Sequence, residues 1–208
     1  MKKTIISIVL LAIIAGLTYV LVQQFAVPME FDEERDRREN EVIDRLKDIR
    51  TAQRLFKTQN AHFAASFNEL VNFIQNDSLE LEIAIGSEDD SAAQAQGKVQ
   101  RVKYKVAIKD TLHFTKNIIV KELGIIPNSE LANGKKLTFQ MDTASVVTES
   151  KVTVPVFVTY APYTAFLKDM DVQELANYID LKTKTLGKDA GLKVGDLNQA
   201  NNEAGNWE

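Results

Sequence analysis

A chain of 208 residues with 25 Lys and Arg, 29 Asp and Glu and a formal net charge of −4 lacks the basic balance of a nucleic-acid binder. It has no cysteine, which excludes disulfide staples, thiolate metal sites and a lipid-modified cysteine, and leaves either redox compartment open. Gly and Pro are scarce and no internal repeat is visible, so the composition is that of an ordinary globular body.

Met1-Lys2-Lys3 precedes an uncharged apolar run from Thr4 to Val22, which Gln23 and Gln24 interrupt and which resumes from Phe25 to Val27 before Pro28. Its nineteen residues would rise roughly 28 Å as a helix, close to the thickness of a bilayer's hydrocarbon core. The run predicts a transmembrane anchor over residues 1–27, with Ile5, Ile8, Leu11, Ile14, Leu17 and Leu21 among its membrane-facing residues. A cleaved signal peptide is the alternative. Its apolar region usually spans about 7–15 residues and ends in a small-x-small site, and Leu21 to Pro28 offers no such cut. Lys2 and Lys3 on the short side, with a long domain beyond, predict an N terminus inside and a body outside, which in a bacterium means inner membrane and periplasm.

From Phe31 to Lys57 there is neither Gly nor Pro. Val42, Leu46, Ile49 and Phe56 fall at spacings of 4, 3 and 7, one face of a helix that serves for packing or as a homodimer seam, with the polar Gln53 on the same seam. Two heptads are too few for a coiled coil. The amphipathic stalk, residues 28–57, is expected to pack its C-terminal half on the body and to leave its charge-rich N-terminal half in solvent.

Ser66-Phe67-Asn68-Glu69 reads as a capping box opening a short helix through Ile74. Leu79, Leu81, Ile83 and Ile85 alternate with Glu80, Glu82 and Ala84; Val102, Tyr104, Val106 and Ile108 alternate with Arg101, Lys103 and Lys105. The acidic row on one strand and the basic row on the other predict antiparallel partners, joined through a polar surface loop over Gly86 to Gly97. Lys116 to Ile126 fits helix or strand until Pro127-Asn128 breaks it. Leu137 to Met141 and Val152 to Val158 predict a second hairpin around Thr148-Glu149-Ser150, with Pro155 placing its strand at an edge or a bulge. Asp171 and Glu174 cap a last helix bearing Val172, Leu175, Ala176 and Ile179. The expected fold is α+β: a transmembrane helix running into a long amphipathic helix on a small antiparallel sheet, with a globular domain over residues 58–190 and a polar tail over 191–208.

Reactive chemistry is not legible. His62 and His113 lack ligand-spaced partners and read as structural or surface residues. There is no nucleophile elbow, phosphate-binding loop or dinucleotide fingerprint, and the oxygens of Ser87 to Asp90 lack the spacing of a calcium loop. No catalytic residue, cofactor or metal is expected.

Ala26-Val27-Pro28-Met29 and the helix from Ile43 to Phe56, with Asp48 to Phe56 at its end, resemble the N-terminal half of type IV pilins and type II secretion pseudopilins. Thr58 to Phe63 and Ser66 to Ile74 resemble the loop and capped helix that follow in that family, so the likeness covers residues 1–76. It implies an apolar helix leaving the membrane near a proline and packing on a small antiparallel sheet. Aligning the prolines puts Ile6 where the family's processing site has Gly and Leu11 where its filament helix has Glu. The resemblance therefore implies an unprocessed, non-enzymatic pilin-like envelope protein that helps to build a secretion or pilus-like machine, not a regular filament subunit. The ending from Gly191-Leu192-Lys193-Val194-Gly195 to Gly205-Asn206-Trp207-Glu208 resembles that of an uncharacterised family of anchored proteins. Two further readings are a bitopic platform subunit dimerising through the stalk, and an anchored module whose Gly86–Gly97 loop and sheet edge hold a peptide or glycan.

Overall fold

The computed structural model describes residues 2–85, 100–112, 114–115, 119–131 and 133–208. Strong helix formers carry one continuous helix, α1, from Lys2 to Asn60, with Pro28 inside it. Pro28 removes one backbone donor and crowds the preceding turn, yet the helix continues on both sides. It ends where Ala61 takes a positive φ of 62° and donates to the Lys57 carbonyl at 2.8 Å, an αL stop that is usually glycine's. The chain divides into two compact units, one comprising Met1–Ile43, Ile126–Leu137 and Ala161–Leu192, the other Asp44–Ile125, Thr138–Tyr160 and Lys193–Glu208.

In the second unit the capping box forms. Ser66 Oγ accepts from the Glu69 amide at 3.2 Å, and Glu69 reaches back to the Ala65 amide at 2.8 Å, opening α2 (Phe67–Asn76). Leu70, Phe73 and Ile74 turn inward, and Phe73 meets Phe56 edge-on at 4.9 Å. Phe63 stacks at a tilt on Phe157 at 4.7 Å, and Leu46, Ile49, Ile108, Leu123 and Val194 complete a solvent-free interior. Each such side chain contributes roughly 1.5–3 kcal/mol by leaving water. Strands β1 (Ser78–Ile85) and β2 (Gln100–Ala107) pair antiparallel as the charge rows predict, in a register that sets Glu80 opposite Lys105 and Glu82 opposite Lys103. Ile108 is not a strand residue: it opens a single helical turn, α3 (Ile108–Thr111), and is fully buried. The expected loop over Gly86 to Gly97 lies outside the described residues, as do His113, the Ser87–Asp90 oxygens and residues 116–118.

The apolar stretch ending at Ile126 resolves into a 3₁₀ turn, Val120–Glu122, and strand β3 (Ile125–Glu130). Pro127-Asn128 does not break β3. Among the described residues its sheet has only two strands, β3 and β4 (Lys136–Thr138), so a proline meets no obligatory partner on the outer edge, and Asn128 absorbs the bend at φ 55°. Leu137 therefore belongs to a different sheet from Met141, and Phe139 between them donates to the Gly124 carbonyl. Strand β5 (Gln140–Val147) pairs antiparallel with β6 (Thr153–Pro162) through a turn closed by Thr148 and Val152, as expected.

Pro155 lies in a central strand by sheet order, β5-β6-β7, contrary to its expected edge position. It is tolerated because β7 (Gly191–Gly195) stops at Gly195, whose Cα abuts the Phe157 carbonyl, two residues short of Pro155. Residues 191–195, expected within a polar tail, thus form a strand with Leu192 and Val194 buried, and Val194 bridges to Gly205.

In the first unit, α4 (Tyr163–Phe166) and α5 (Val172–Asp180) follow β6. Asp171 caps α5, accepting from the Gln173 and Glu174 amides at 2.9 Å. Its inner face is Leu175 and Tyr178; of the other apolar residues that the helix bears, Val172 and Ala176 are exposed and Ile179 is half-buried. Five residues of π-helix, Leu181–Thr185, extend α5. The start of the stalk is not free in solvent as expected: Phe31 is 4% exposed and meets Tyr178 edge-on at 6.4 Å.

Candidate functional site

The apolar run forms one uninterrupted stretch of α1, and none of its most apolar 18-residue window is buried. Ile5, Ile8, Leu11, Ile14, Leu17 and Leu21 are each 56–70% exposed. Thr18 satisfies its hydroxyl by donating to the Ile14 carbonyl at 2.9 Å, which lets a polar group sit in an apolar surround. Among the described residues this is the one helix long and apolar enough to cross a membrane. Gly16 has nothing within 4 Å of where a Cβ would stand, so its surface is open to another helix.

Val42, Leu46 and Ile49 have no exposed surface within the single chain, and Phe56 is 5% exposed. Gln53, on the same stripe, is also fully buried. Its amide donates to the Ala64 carbonyl at 3.0 Å and accepts from the Ala64 amide at 2.9 Å, closing the loop after α1 against the helix.

The first unit carries its polar chemistry just beyond Pro28. Arg38 forks onto Asp169, with Nη2 to Oδ2 at 2.9 Å, and gives further hydrogen bonds to Glu34 and to the Phe166 carbonyl. Hydrogen bonds from Arg37 and then Arg38 hold the Glu34 carboxyl down to about 2, and Arg38 lowers Asp169. Beside them Tyr178 donates to Glu39 at 2.6 Å, with the Arg35 guanidinium 4.5 Å over the Tyr178 ring. Burial raises the Glu39 carboxyl above its ordinary range against the pull of Tyr178, and burial with the Glu39 charge raises the Tyr178 phenol. A cleft of about 330 Å³ opens between Val27, Glu30, Phe31, Glu34 and Arg38 on α1 and residues 169–171. Its arginine is already saturated by carboxylates, so it offers no free cation to an anionic substrate.

The second unit is strapped by its own ending. Arg50 meets Glu208 at 2.7 Å, and Arg54 and Lys57 meet Glu203 at 3.1 and 3.6 Å, three cations at helical spacing along α1. Two shallow clefts flank the Pro155 stretch of β6. One, about 190 Å³, lies between Val154–Phe157 and residues 196–203; the other, about 290 Å³, lies between His62, Glu69 and Thr143–Ser145. His62 packs edge-on against Phe56 at 5.5 Å with its Nδ1 3.0 Å from the Phe63 carbonyl, the geometry of a structural histidine. Asp48 is buried, with one oxygen held by the Thr115 amide and hydroxyl and the other without a partner among the described residues. Among the described residues no group of three or more His, Cys, Asp or Glu could hold a metal.

Sequence reasoning missed the strap and the Arg38–Asp169 and Glu39–Tyr178 pairings. Their partners lie more than 120 residues away in the chain, beyond the reach of helical spacing. No family model, curated protein or solved structure matches the chain.

Proposed function

We propose that this chain is a non-enzymatic, single-pass, pilin-like membrane protein of the bacterial envelope, a structural or assembly component of a secretion or pilus-like machine. The observation that carries the reading is the continuity of α1. One helix begins with an apolar stretch exposed all round, passes Pro28, and ends with Val42, Leu46, Ile49 and Phe56 buried in the body of the same chain. An exposed apolar helix of that length is unstable in water and stable in lipid. The second half of the helix is then a splint between membrane and body, which suits a part that positions a domain beside a bilayer. Ile6 and Leu11, at the family's Gly and Glu positions, give the peptidase nothing to cut and the filament no charge to register. The N terminus stays in the cytoplasm and the body in the periplasm on this reading.

Burial of the stripe weighs against a platform that dimerises through it, because a dimer seam at Val42, Leu46 and Ile49 would have to break the monomer's own packing.

Mass spectrometry of the mature protein, with carbonate extraction of the membranes, tests the proposal. It expects an intact N-terminal segment in a pellet that alkali does not release. A chain that starts near Val27, or one that alkali extracts, overturns it.

A further inference from the structure

Residues 102 to 105 of β2 alternate between the two faces of the β1–β2 hairpin, and all four are exposed, Val102 and Tyr104 by 44% and 39%. At mid-length β2 therefore leaves both of its faces open, and the hairpin is an arm. Its root is fixed, with the Ile108 amide on the Asp77 carbonyl at 3.1 Å and the Gln59 amide on the Ser78 carbonyl at 2.9 Å. Among the described residues its sheet has only these two strands, so beyond the Gln59 contact at Ser78 each has one edge of backbone donors and acceptors with no strand beside it. Isolated two-stranded hairpins are marginal in water, and unpaired edges template further strands.

Charge on the arm is sorted by strand. Glu80 and Glu82 lie on β1, and Lys103 and Lys105 occupy the opposite positions on β2, with Lys105 Nζ 3.2 Å from Glu80. Pairing β1 with a second β1 would bring acid beside acid, and β2 with a second β2 base beside base. Only β2 against the β1 of another copy sets each row beside its complement, and like charges across strands are destabilising where opposite ones stabilise.

We propose that this arm is an interaction surface for a second copy of the chain, joined edge to edge so that the sheet continues in the order β1-β2-β1′-β2′. The joint is head to tail, each copy giving one edge and receiving the other, and it closes into a ring or runs on as an open row. Copies standing the same way up in one bilayer keep that order antiparallel throughout. This alignment rests on the anchor proposed above; the edge chemistry does not.

The absence of native cysteine makes the test clean. Full-length chains carrying Ser78→Cys and, under a different tag, Ala107→Cys are mixed and reconstituted in phosphatidylcholine–phosphatidylethanolamine vesicles, then oxidised. Each copy has one cysteine, so every disulfide joins two copies; random pairing of an equal mixture gives 78–107′ twice the yield of either like pair, and the expected excess is well above that. Lys103→Glu with Lys105→Glu should cut its yield roughly tenfold. Adding Glu80→Lys and Glu82→Lys restores the cross-strand pairs inside the arm with signs exchanged, and should restore the yield. A 78–107′ yield no higher than random pairing gives, a swapped variant that stays silent, or cross-linking indifferent to the charges overturns the proposal. Vesicle flotation of the same samples separates the two readings: protein that floats without the 78–107′ product refutes the arm joint and leaves the anchor standing.

Discussion

Gln53 occupies a position on the stripe where an apolar residue is expected, and its burial with both amide groups paired to Ala64 explains why a polar residue belongs there. Gln53→Ala strands a buried N–H and a buried C=O at Ala64, each costing roughly 1–3 kcal/mol. The expected outcome is a fall in the denaturant midpoint of the second unit with no loss of membrane retention; an unchanged midpoint would mean that water replaces the amide. Glu39 tests electrostatics in the first unit. Its folded carboxyl binds a proton more readily than its unfolded one, because burial outweighs the Tyr178 hydrogen bond and the nearby Lys182 and Arg35 charges. Its contribution to stability is therefore complete below the unfolded pKa and is lost as pH rises through the folded one. Glu39→Gln keeps an acceptor for Tyr178 without the buried charge. Thermal unfolding should show the variant more stable than the parent near neutrality and equal to it at about pH 3. Glu34 runs the other way: its contribution is present above its ordinary 4.5 and is lost as pH falls toward about 2.

At the scale of elements, local chemistry was readable wherever the determining partners lie within a few residues. The capping box at Ser66–Glu69, the Asp171 cap, the Thr148 turn and the antiparallel β1–β2 pairing all follow from neighbours in sequence or from complementary rows. Ser66→Ala should cost about 0.5–2 kcal/mol, read from the unfolding midpoint, because the Glu69 amide loses its acceptor while Glu69 keeps its bond to Ala65. What was not readable depended on distant chain. Leu137 pairs within β4 against β3 and Met141 within β5 against β6, so the sheet that each joins is set by partners outside their own stretch. The Asn- and Gly-rich ending looked like a tail because its apolar content is small. Yet Leu192 and Val194 suffice for a strand, since Gly195 alone admits the close approach to Phe157, where a Cβ would lie 2.1 Å from the carbonyl oxygen. The middle of β2 lies between these cases, its charges visible in the sequence and its exposure visible only in the fold.

For the whole molecule the decisive quantity is the free energy holding α1 in a bilayer. Twelve Ile, Leu and Val residues lie between Thr4 and Val22. At about 0.3–0.6 kcal/mol each, they favour insertion by roughly 4–7 kcal/mol. One arginine near the middle costs roughly 2.5–3.5 kcal/mol and also removes the residue that it replaces. Leu11→Arg should leave most of the protein in the alkali-resistant membrane fraction, because the remaining balance is still favourable. Leu11→Arg combined with Ile14→Arg brings the sum to zero or beyond and should release the chain or stop its insertion. The body should fold in either case, since neither position contributes to the buried interior. Circular dichroism of the released double variant, beside the extraction assay, reads both parts. A chain already released by the single substitution would place the apolar helix on a protein surface and not in lipid, where one charge suffices to break the contact. Retention of the double variant would show that partner helices hold α1, as a subunit of a larger membrane assembly would require.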